Sequence, residues 1–150
     1  MIKRKDNPAK LFLRRYLALS GRVDALQRAI DQAMERAFNT GITLKEIKVL
    51  SSPADPDPMA SAVCNAVDAC EILYEEKEKA TMALREILSA IDSLKDERKK
   101  QVLTMRYITG DGYPKIATSM HYSEPGIYVI HGRALVEINK WMEGRKERAE

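Results

Sequence analysis

Apolar residues recur at helical spacing along two long stretches of the chain. Phe12, Tyr16, Leu19, Val23, Leu26, Ile30, Ala33 and Ala37 are separated alternately by four and three residues, the spacing of a coiled-coil a/d seam. Asn7-Pro8 ahead of this seam is a helix start and Asn39-Thr40-Gly41 behind it a helix exit. Ser20-Gly21 is a weak point inside, where glycine costs up to about 1 kcal/mol relative to alanine. A second seam runs from about Met59 to about Ser93 through Val63, Val67, Cys70, Tyr74, Lys77, Thr81, Leu84, Leu88 and Ile91. Lys77 is read as snorkelling to water, with a register-setting role as the alternative. Between the two, residues 42–50 fit either a short helix or a strand. The proline-rich stretch 51–58 must break regular structure, because proline lacks a donor and restricts its predecessor.

The last third has a different rhythm. Residues 97–108 form an amphipathic helix in which the spacing of Val102, Leu103, Arg106 and Tyr107 gives one apolar face with basic residues on the other, and Thr109-Gly110-Asp111-Gly112 ends it. Residues 113–120 make about two helical turns, His121-Tyr122-Ser123 connect, and a longer helix follows with Ser123 as N-cap or Pro125 in its first turn. Ile127, Ile130, Ala134 and Ile138 share one side of it, so Ile116 and Ala117 can pack on Ile127 and Ile130. Projection at 100° per residue puts Glu124, Pro125, Tyr128 and Gly132 on the opposite, outward side, with Val129 and His131 at its margins. The predicted fold is all-α: a long antiparallel helical hairpin, coiled-coil-like, over residues 1–93 with its loop near 51–58, then a helix-turn-helix domain over 94–150. Two helices alone bury little, so the hairpin is expected to rest on the C-terminal module or to form a homodimer through its helices.

Composition narrows the function. The 150 residues are 45% hydrophobic and 31% charged, which suits a folded domain. Apolar runs of only a few residues exclude a membrane-spanning helix, and no signal peptide is recognisable. A cytoplasmic protein with no membrane partner is expected. Cys64 and Cys70 lie about 9 Å apart along a helix, too far for a disulfide. His121 and His131 have no companions for a metal site. There is no phosphate loop or nucleophile elbow, so neither an enzyme nor a cofactor is expected. Charge is uneven: residues 1–40 carry nine Lys/Arg against four Asp/Glu, residues 41–92 five against ten, and residues 93–150 eleven against eight. Basic ends around an acidic middle fit charge pairing within the chain or separate functional surfaces.

Residues 102–138, VLTMRYITGDGYPKIATSMHYSEPGIYVIHGRALVEI, resemble region 4 of sigma-70-type factors. Together with the long N-terminal helices, they resemble more closely the phage-encoded late transcription regulators of the ArpU and RinA-like group. The resemblance implies binding to double-stranded DNA at a phage promoter, with a recognition helix at about 123–138 in the major groove, and host RNA polymerase as a further partner. Ser123 matches the start of the sigma recognition helix. Glu124, Pro125 and Gly126 stand where sigma factors often carry Arg, Glu and Arg, and Val129 stands at a frequent Gln. Without arginine there, bidentate guanine readout is lost at those positions. Glu124 accepting from cytosine amino groups, and Tyr128 or His131 making mixed contacts, would then read the bases. Arg133, Lys115, Tyr113 and Tyr122 would hold phosphates.

Plainer roles stand beside these. Tyr113 and Tyr122 suit core-covering positions, His131 suits a surface position, and Arg133 suits an ion pair with Glu137. Two other functions remain open. One is a phage DNA-packaging subunit of small-terminase type that assembles into a ring through its coiled coil. The other is a helical interaction protein that does not bind DNA.

Overall fold

The computed structural model describes residues 6–38 and 58–150. Among them every regular element is helical: α1 (Pro8–Phe38), α2 (Pro58–Asp92), α3 (Glu97–Leu103), a π-helical turn (Thr104–Thr109), α4 (Tyr113–Met120) and α5 (Glu124–Ala149). The all-α expectation holds for these residues. The expected helix exit at Asn39-Thr40-Gly41, the ambiguous stretch 42–50 and the loop up to residue 57 lie outside the described residues, as do the seam side chains of Ala37 and Val63. No described helix is long and apolar enough to cross a membrane.

Packing divides the chain differently from the expected 1–93 and 94–150. One compact unit combines Met1–Ser20 with Met82–Glu150, and the other is Gly21–Thr81. The reason is where large side chains find cover. Leu13 of α1 and Ile87, Ala90 and Ile91 of α2 join Leu94, Leu103, Tyr107, Ala134, Leu135 and Ile138 in one core. Leu13, Ile87, Leu103 and Ile138 are essentially inaccessible to water. Burial of each such aliphatic side chain contributes about 1.5–3 kcal/mol, so the outer parts of the two long helices belong energetically with the C-terminal helices. A second core under the start of α5 consists of Val102, Ile116, Ala117 and Ile127.

The first helix starts where the sequence places it, but through a distant partner. Asn7 Oδ1 accepts from the Ala9 amide at 3.0 Å and from Asn139 Nδ2 at 2.9 Å, and Asn139 Oδ1 accepts from the same Ala9 amide at 2.9 Å. Two amide side chains thus cap the first turn and tie it to α5, satisfying an amide that has no partner inside the helix.

Among its described residues, the unit Gly21–Thr81 buries fewer side chains. Its buried side chains among the described residues are Ile30, Cys70 and Ala80. Arg22 pairs with Glu76 at 3.0 Å, and Lys77 donates to Gln27 Oε1. Lys77 is half-buried and cross-linked, rather than extended to water as expected. The predicted α1 seam is on the covered side, with Val23, Leu26 and Ala33 half-buried and Ile30 fully buried. The α2 seam is half right. Cys70, Lys77, Thr81, Leu84 and Ile91 are covered or half-covered, but Val67, Tyr74 and Leu88 are exposed, and Ala66, Leu73, Ala80 and Ile87 take inward positions instead. Both sets are largely apolar and repeat every seven residues, so periodicity alone did not choose between them.

Candidate functional site

The chain from Thr104 to Ser123 is a succession of tight turns that aim α5. The π-helical turn ends at Gly110, whose φ of +83° suits glycine. The carbonyl of Met105 accepts from the Gly110 amide and from the Asp111 amide, the latter at 2.8 Å. Asp111 is buried; its carboxylate takes Lys115 Nζ at 2.6 Å, and its carbonyl accepts from Arg106 at 3.1 Å. The short helix α4 then runs to Met120, and His121, left-handed at φ +59°, turns the chain back. Ser123 caps α5 by accepting from the Gly126 amide at 3.2 Å, and Pro125 sits in the first turn, where its missing N–H costs nothing. A Cβ on Gly126 would lie 3.2 Å from Ser123 Oγ and 3.7 Å from the Tyr122 ring. Cap and side chain would compete there, which is a physical reason for glycine at 126.

The outward flank of α5 is as the helical projection predicts. Glu124, Pro125, Tyr128 and Gly132 are exposed, and Val129 and Arg133 with them. Ile127 is fully buried and Ile130 partly buried against the α4 core. Arg133 does not pair with Glu137, because Glu137 receives Lys99 instead. Arg133 has no ion pair among the described residues.

His131 is the correction. It is 6% exposed and its Nε2 lies 2.8 Å from the Tyr107 hydroxyl, so it is unavailable to a base edge. Burial, and then the positive charges of Lys10 and Arg106, lower its pKa to about 4, leaving the ring neutral at pH 7. Burial first, and then Tyr113, push the Tyr107 hydroxyl up to about 12. Two neutral groups sharing one hydrogen bond satisfy each other inside the core. Residues 127, 131, 134 and 138 repeat the four, three, four spacing, so the inward stripe passes through His131 rather than beside it.

That pair supports the flank from beneath. The His131 ring stacks on Tyr107 at 5.7 Å and meets Tyr113 edge-on at 5.5 Å; Tyr113 lies 4.5 Å from Tyr128, and the Arg106 guanidinium covers Tyr113 at 4.4 Å. Tyr128, half exposed, is held by a row of rings, an arrangement that limits the entropy lost when such a side chain makes a contact. Tyr113 is therefore occupied within this row. Tyr122 is 38% exposed beside Arg98, whose pKa is raised by Tyr122 and then by Asp96. Lys115 is exposed although paired with Asp111. Sequence reasoning missed Arg106, Asp111 and Tyr107 as parts of this site, since only the fold brings the π-helical turn beneath α5.

No protein-family model, curated protein or solved structure matches this chain. Among the described residues, no group of three or more His, Cys, Asp or Glu is placed to hold a metal ion.

Proposed function

We propose that the protein is a DNA-binding transcription regulator in which α4, the turn at 121–123 and α5 act as a helix-turn-helix and the outward flank of α5 enters the major groove. The observation that carries this reading is a capped helix with Glu124, Tyr128, Val129, Gly132 and Arg133 outward while Ile127 and Ala134 are held inward. Glycine at 132 keeps the middle of that flank low, with no atom near a Cβ position there, which suits close approach to a groove wall. Glu124 accepts from cytosine amino groups, Tyr128 and Val129 offer apolar contact to thymine methyls, and Arg133, Lys115 and Tyr122 take phosphates. The resemblance to phage late regulators makes a phage late promoter the target and host RNA polymerase a further partner, within a bacterial cytoplasm. Binding of the full chain to late-promoter DNA tests this. Tyr128→Ala with Arg133→Ala weakens binding on the order of tenfold, equivalent to 1.4 kcal/mol; unchanged affinity removes α5 from the groove.

A second reading rests on the unit Gly21–Thr81. Met34, Val67, Ile72 and Tyr74 are 40–64% exposed, which favours self-association of an N-terminal hairpin. A dimer in solution fits the regulator, and a large closed ring fits a DNA-packaging subunit.

A further inference from the structure

We infer that Lys10, Arg14 and Arg106 form a phosphate-contacting patch that grips the backbone of the same duplex whose groove receives α5. This rests on the DNA-binding reading and adds a surface outside α4 and α5. Lys10, Arg14 and Leu17 lie at i, i+4 and i+7 on one face of α1. A Cβ at Gly110 would be 3.6 Å from Leu17 Cδ1, so this face of α1 is turned toward the glycine that ends the π-helical turn. Arg106 sits within that turn, its guanidinium over Tyr113 and bonded to the Asp111 carbonyl. All three charges are felt by one buried pair: Lys10 and Arg106 act electrostatically on His131, and Arg106 and Arg14 on Tyr107.

None of the three has a carboxylate partner among the described residues. The nearest buried acid along the chain, Asp111, gives its carboxylate to Lys115. Like charges drawn together without a counter-ion repel, and a polyanion relieves that repulsion. The patch is also continuous with the proposed groove-facing side, since Arg106 covers Tyr113 and Tyr113 packs on Tyr128. A duplex lying along α5 would therefore meet cations from the π-helical turn and from the start of α1, two segments far apart in sequence.

The test measures affinity of the full chain for a mixed-sequence DNA duplex across a salt series. Each phosphate contact adds nearly one to the slope of log K against log salt. Lys10→Ala with Arg14→Ala lowers the slope by about 2, and circular dichroism shows unchanged helicity because neither side chain is fully buried. Lys146→Ala with Arg148→Ala removes the same charge from the far end of α5 and leaves the slope unchanged. A Lys10/Arg14 variant with the wild-type slope, or a control variant that loses as much, overturns the patch while leaving the α5 reading standing. No binding of the wild-type chain to any duplex at low salt overturns both.

Discussion

The two compact units are made from the same two long helices, yet they differ in how their side chains are used. In Met1–Ser20 with Met82–Glu150, α3, the π-helical turn and α5 share one core with the helix segments and α4 packs with α3 and α5 in another, and these two cores exclude water from Leu13, Ile87, Leu103, Ile116, Ile127 and Ile138. In Gly21–Thr81 the corresponding stretches carry Ile30, Cys70 and Ala80 buried and Val67, Ile72 and Tyr74 exposed. Identical heptad spacing therefore accompanies a closed core where several elements converge and, among the described residues of Gly21–Thr81, a seam with fewer buried side chains. A helix buries one stripe per neighbour, so the number of neighbours decides how much apolar surface is removed from water.

This contrast breaks most sharply by truncating a side chain in each unit. Ile138→Ala destabilises the protein by about 2–5 kcal/mol because it leaves a cavity among packed neighbours, whereas Ile72→Ala changes stability by less than about 0.5 kcal/mol. Urea unfolding of the two variants measures the difference; equal costs would mean that Ile72 is covered, as by a second copy of the chain.

Polar burial sharpens the comparison at a smaller scale. Tyr107→Phe leaves His131 without its partner and costs about 1–3 kcal/mol. The folded-state pKa of His131 is lowered from the ordinary 6.5 to about 4. The unfolded chain therefore takes up the proton first as pH falls, and stability present above pH 6.5 is lost progressively down to about pH 4. Urea midpoints measured through that window fall for the wild type, and the part due to this residue disappears in His131→Leu. A pH-independent difference between the two would show that His131 is not neutral inside.

The smallest effect comes from two glycines. Gly21→Ala, in mid-helix with open space around it, stabilises by up to about 1 kcal/mol. Gly110→Ala, at φ +83°, destabilises by about 1 kcal/mol, since alanine resists that conformation. Thermal unfolding that moves both variants the same way would remove the distinction between a tolerated glycine and a required one.

Much of this architecture is legible in the amino-acid order, because it depends on short-range chemistry. Pro8 opens α1, glycine ends the turn at 110, His121-Tyr122-Ser123 separates α4 from α5, and Ser123 caps α5, each through groups only a few residues apart. The outward placement of Glu124, Pro125, Tyr128 and Gly132 follows from helical periodicity once Ile127 points inward. What remained hidden depends on partners distant in sequence. Whether α2 turns Tyr74 and Leu88 or Leu73 and Ile87 inward is decided by the helices that cover it. His131 is buried because Tyr107, 24 residues earlier, supplies its hydrogen bond. Asn139 completes a helix cap 130 residues away, and the neighbours of Lys10 and Arg14 exist only once α1 lies beside the π-helical turn. Local order specifies which backbone shapes are low in energy and which faces are apolar; only the packed chain specifies which of two apolar faces is covered and which polar groups meet, because those energies exist only between segments brought together by folding.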